Sequence, residues 1–117
     1  MRLRQAYMLT LGLTAMLLPA GAGQAAWVYY SGNDLWKACN DGTAWGNAIC
    51  IGFILGVADA QEISNGIATL RACKPDGIAG TQVKDIAVQF MQNNPQTRHY
   101  PAATLVAQSL SVAFPCR

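Results

Sequence analysis

The chain has 117 residues, 52% of them hydrophobic and only 12% charged, with a formal net charge of +2 at pH 7. Arg2 and Arg4 carry that excess. From Ala26 onward, Lys37, Arg71, Lys74, Lys84, Arg98 and Arg117 balance Asp34, Asp41, Asp59, Glu62, Asp76 and Asp85. Nucleic acid requires a basic stripe, and none is present, so no nucleic-acid partner is expected. The length suits a single domain over residues 26–117.

Residues 1–25 read as a secretory signal peptide. Arg2 and Arg4 form a positive n-region, Ala6 to Leu18 an apolar h-region, and Gly23-Gln24-Ala25 places small residues at the cleavage positions. Cleavage is expected after Ala25, with Ala20-Gly21-Ala22 as a second cut. The apolar run is shorter than the roughly 20 residues that span a bilayer, so no stable membrane anchor is expected after cleavage.

Next comes a short helix. Asn33 or Ser31 can cap it, Asp34 suits its first turn, and Asn40-Asp41-Gly42 stops it. Thr43 can then cap a central helix, with Trp45 at the junction read as core or rim packing in preference to an exposed recognition role. The stretch from Ile49 to Gln61 is apolar on nearly every side until Asp59 and closes with the C-cap signature Ser64-Asn65-Gly66. Its length favours helix over strand. A helix apolar all round is expected to be wrapped by its neighbours. Gly52 and Gly56 share one face, where close approach of another helix of the same chain is expected. Asp59 is read as a rim residue or the partner of a nearby base.

Ile67 to Ile78 is irregular, broken by Gly66, Cys73, Pro75 and Gly77. Thr81 is expected to cap a third helix, with Val83, Ile86, Ala87, Phe90 and Met91 inside and Gln82, Lys84, Asp85 and Gln89 outside. Asn93-Asn94-Pro95 ends it. Pro101 suits the first position of a fourth helix, whose buried stripe runs through Ala102, Leu105, Val106, Ser109, Leu110 and Ala113. The expected fold class is all-α, a small disulfide-stapled four-helix bundle with antiparallel neighbours.

Cys39, Cys50, Cys73 and Cys116 all follow the signal, and an even count in a short exported chain points to two disulfides. An up-and-down bundle puts the end of the first helix near the start of the second, pairing Cys39 with Cys50. It gathers the end of the second helix, the start of the third and the end of the fourth, pairing Cys73 with Cys116. No C-x-x-C pair exists and His99 is the only histidine, so neither a metal nor another cofactor is expected. A Cys–His nucleophile would need a free thiol, and His99 has no triad partner. His99 and Arg98 are expected to hydrogen-bond loop or helix-end carbonyls. Ser109 and Ser111 lie within a helix, away from any strained nucleophile turn. No catalytic residues are assigned, and no enzymatic activity is expected.

Gly32-Asn33-Asp34-Leu35 precedes Cys39; Cys50-Ile51-Gly52-Phe53 and Gly56-Val57-Ala58-Asp59 follow. Then come Cys73-Lys74-Pro75, Gln82, the helix through Phe90, Pro95, Arg98-His99 and the ending Ala113-Phe114-Pro115-Cys116. In this order the pieces resemble the Rap/Tai family of periplasmic immunity proteins, over almost the whole chain after the signal. The resemblance implies an all-helical, disulfide-bonded periplasmic protein. It would bind and block a peptidoglycan amidase effector delivered by a type VI secretion system, with homodimers frequent in the family. Blocking residues should project from ordered loops, and Lys74, Asp76, Gly77, Ile78 and Arg98 are the candidates. A small periplasmic acid-stress chaperone is the competing class, but it would need many groups that titrate at low pH. Six acids and one histidine supply few. An envelope interaction protein is the third.

Overall fold

The computed structural model describes residues 28–117; the signal peptide read over residues 1–25 lies outside the described residues. Four α-helices follow in order: α1 (Gly32–Asn40), α2 (Ala44–Ile63), α3 (Gly80–Asn93) and α4 (Ala102–Ala113), with a 3-10 turn at Pro95–Thr97. Among the described residues there is no named strand.

Each helix start answers a local need, since the first N–H groups of a helix lack intrahelical acceptors. Ser31 caps α1: its Oγ accepts from the Asp34 N–H at 3.2 Å, and the Asp34 carboxylate accepts from the Ser31 N–H at 2.9 Å. The Ser31 hydroxyl also donates to that carboxylate. The Ser31 hydrogen bonds hold the Asp34 carboxyl below its ordinary value. Thr43 caps α2, its Oγ1 accepting from the Gly46 N–H at 2.9 Å. Helix α3 starts ahead of the expected Thr81. Its cap is Ala79, whose N–H reaches the Gln82 side chain at 2.9 Å. Pro101 is the cap of α4 rather than its first helical residue.

The starts of α1 and α4 also satisfy each other's neighbours. Gly32 N–H donates to Tyr100 O at 2.8 Å, Asn33 N–H to Arg98 O at 2.7 Å and Ala102 N–H to Tyr30 O at 3.0 Å. This backbone lock joins the chain's first helix to its last.

Helix α2 packs against α1, α3 and α4. The core is drawn from every helix: Leu35 from α1, Cys50, Ile54, Val57 and Ala58 from α2, Val83, Ala87 and Met91 from α3, and Ala102, Leu105, Val106, Ala107 and Leu110 from α4. The i, i+3, i+4 spacing of α3 and α4 places their apolar positions inward, Ile86 and Phe90 half-buried, except at Ala113, which the end of α4 leaves exposed. Both disulfides are present as Cys39–Cys50 and Cys73–Cys116. The bridges fit the expected antiparallel order of α2, α3 and α4, whereas the start of α1 meets the start of α4 instead of its end.

Two expectations for α2 fail. It is not wrapped on all sides: Trp45 is 77% exposed and Ile63 87%, so Trp45 is neither core nor rim. Nor does a helix approach Gly52 and Gly56; a Cβ at either position would meet nothing within 4 Å. The reason is geometric. Three neighbours, one of them the nine-residue α1, cannot surround a 20-residue helix, and they cover the side of Ile54.

Candidate partner-binding surface

The segment joining α2 to α3 is tied at several points. Cys73 is bridged to Cys116, and its N–H donates to Phe114 O at 2.8 Å, pinning the segment to the end of α4. Lys74 Nζ lies 3.4 Å from the Glu62 carboxylate and 3.5 Å from Ala58 O, over the last turns of α2. A cation there complements the negative end of the helix dipole. The Glu62 side chain is 66% exposed, so water screens the pair and its contribution is small. Beyond Lys74, Asp76 and Gly77 stand exposed in a turn, Gly77 with φ of 78°. Ile78 folds back against the core.

Arg98 stands elsewhere. Its Nε donates to Met91 O at 2.8 Å at the end of α3, and its guanidinium lies 3.8 Å from the centroid of the Trp36 ring. It fastens the α3–α4 turn to α1 and supplies N–H donors to carbonyls at the end of α3, which lack intrahelical partners. His99 beside it is exposed, its ring 4.2 Å from that of Tyr100. Lys74 precedes the start of α3 and Arg98 follows its end, a separation of roughly 20 Å along the helix at 1.5 Å per residue. The structure thus brings Lys74, Asp76, Gly77 and Ile78 together and leaves Arg98 at the other end.

Gln61 was not read from the sequence as special, yet it organises this end. It is only 2% exposed, and its Nε2 donates to Leu70 O at 3.0 Å and to Ala107 O at 3.1 Å. One side chain thereby ties the α2–α3 segment to α4. The available signal was a lone amide in an apolar run, where burial requires partners. Gln61, Glu62, Asn65, Arg71, Ala72, Cys73 and Lys74 line a depression of about 270 Å³. Asp59 is exposed and, among the described residues, forms no salt bridge.

Among the described residues no group of three or more His, Cys, Asp or Glu stands close enough to hold a metal ion. No described helix is long and apolar enough to cross a membrane. What this end offers is a braced surface around a shallow depression, tied to α4 by the Cys73–Cys116 bridge and by Gln61. The family model of Rap1a immunity proteins matches residues 31–116, from the α1 cap to the last cysteine. The chain belongs to the Rap1a immunity proteins. Membership covers all four helices and both disulfides of this immunity protein, and it implies a cognate effector as partner. A search of curated proteins returns no match.

Proposed function

We propose that this chain is an exported immunity protein that binds and inhibits a peptidoglycan amidase effector of a type VI secretion system in the periplasm. The observation that carries the reading is the family match across residues 31–116. Two disulfides in a chain this small suit an oxidising compartment. The braced segment over Lys74, Asp76, Gly77 and Ile78 is the proposed contact region, and its bridge to Cys116 lowers the entropy lost on binding. Arg98 is proposed to contribute at the opposite end of α3. The chain itself performs no catalysis in this reading.

Co-expression with periplasm-directed peptidoglycan amidases tests it. Protection from lysis that requires residues 1–25, together with a stable complex, is expected. Absence of any amidase complex, with denatured periplasmic proteins kept soluble at low pH, would replace this reading with the chaperone.

A second copy suits the open face of α2. Trp45 and Ile63 each lie nine residues from Ile54, two and a half turns, so both point directly away from that buried residue. Gly52 and Gly56 flank the same direction. In an antiparallel two-fold packing, Trp45 of one copy meets Ile63 of the other and the glycines face each other, a self-complementary contact. Gly56→Arg is expected to yield a monomer by sedimentation while keeping or raising thermal stability, because glycine costs an exposed helix interior about 1 kcal/mol. A wild-type monomer at tens of micromolar would remove the proposal.

A further inference from the structure

We infer that the turn tip at Ala68–Thr69 is the part of this chain that enters the effector, as a narrow wedge; the inference rests on the immunity reading above. Ile67 and Leu70 exchange both backbone hydrogen bonds, at 3.0 and 2.8 Å, so only Ala68 and Thr69 lie between them. Both have positive φ, 48° and 67°. A two-residue loop with two left-handed residues is the type I′ turn, which selects Asn-Gly because a Cβ is disfavoured there. A β-branched residue such as Thr69 is the least suited of all.

The rest of the described chain follows the rule that the tip breaks. Its other left-handed positions are Gly42, Asn65, Gly66 and Gly77. Only at Ala68 and Thr69 does a residue other than glycine or asparagine take this conformation. Nothing in the fold calls for those side chains. Both are exposed, and among the described residues their backbone groups enter no hydrogen bond. The base, by contrast, is held firmly. Ile67 and Leu70 pack against the core, Gln61 holds Leu70 O, and Gly66 N–H donates to Gln61 O at 2.8 Å. Strain kept at an exposed point by an over-determined base marks a functional element.

Its shape indicates what it fits. Two small side chains at the apex make a slender projection, with peptide N–H and C=O groups on its edges that have no partner among the described residues. Such a tip suits a narrow cleft on a protein that supplies matching donors and acceptors. Arg71, exposed beside it and without a salt bridge among the described residues, suits an acid on the cleft's rim. Asn65 and Arg71, on either side of the turn in sequence, line the depression shared with Lys74, which links the turn to the proposed contact region. Pre-organisation of the tip spares ordering entropy on binding.

The test uses oxidised full-length mature protein and a panel of purified type VI peptidoglycan amidases, taking the one that the wild type binds. Ala68→Arg adds bulk at the apex and is expected to weaken binding at least about 100-fold, with a melting temperature within about 2 °C of wild type. Thr69→Gly relieves the strain and is expected to raise the melting temperature by about 4 °C or more while weakening binding. Wild-type affinity in Ala68→Arg overturns the inference and leaves the immunity reading standing. If Ala68→Arg melts early, Thr69→Gly decides, and unchanged affinity there overturns the inference. A wild type that binds no amidase in the panel overturns both.

Discussion

Replacing Cys73 and Cys116 together by serine is expected to cost about 4 kcal/mol of stability, from the chain-entropy estimate for a sequence separation of 43. The corresponding figure for Cys39–Cys50, with a separation of 11, is about 2.8 kcal/mol. The longer loop dominates because the bridge removes more freedom from the unfolded chain. Both Cys73 and Cys116 are exposed, so serine hydroxyls there carry little desolvation cost. Against a total stability of about 5–15 kcal/mol for a domain, this loss is large. Urea titration of the double variant should show a lower midpoint and a steeper slope, since an uncrosslinked unfolded chain exposes more surface. A loss under about 1 kcal/mol with an unchanged slope would contradict the entropic account. The Cys73 N–H bond to Phe114 O would be left to hold that point without its covalent bridge, so faster hydrogen exchange over residues 71–79 should accompany the loss.

The second large effect is expected at Gly32→Ala. Gly32 opens α1 and is buried against the α3–α4 turn. A Cβ there would sit 2.7 Å from Arg98 O and 3.0 Å from Arg98 Cα, and it would collide with the Leu105 Cδ1 methyl. Leu105 can rotate only into a core with little free space, and the Arg98 backbone is fixed by the bond its carbonyl accepts from Asn33. Alanine improves helix propensity by up to about 1 kcal/mol. Overpacking and displacement of the Gly32–Tyr100 and Asn33–Arg98 bonds cost about 1–3 kcal/mol and more. The clash therefore wins, and a net loss of about 2 kcal/mol or more is expected in chemical denaturation. A melting temperature equal to or above wild type would show that the lock between α1 and α4 is looser than these distances imply. This also explains why glycine precedes Asn33-Asp34-Leu35: the approach of two backbones leaves no room for a side chain.

Much of the fold was legible because its determinants are local. The Ser31–Asp34 cap, the Thr43 cap, the stops at Asp41-Gly42 and Ser64-Asn65-Gly66, and the stripes of α3 and α4 each depend on residues within a few positions of one another. The disulfide pairing was legible at one remove, since short connections leave the antiparallel order as the natural one. Among the candidate contact residues, adjacency in sequence kept Lys74, Asp76, Gly77 and Ile78 together. Arg98 could not be placed with or against them until the helices were assembled.

The amino-acid sequence by itself determined four helices, their approximate ends, the bridges Cys39–Cys50 and Cys73–Cys116, and the resemblance to immunity proteins that family membership bears out. Tertiary structure alone decided which side of α2 is covered. A helix apolar on all sides carries no direction in its own sequence, so the neighbours' lengths and positions left Trp45, Gly52, Gly56 and Ile63 outside. It likewise decided that Gln61 would reach Leu70 and Ala107, and that Ala68 and Thr69 would be held left-handed. Both depend on contacts between segments distant in sequence or on closure of a loop whose base is fixed elsewhere, and local propensity argues against the second outright.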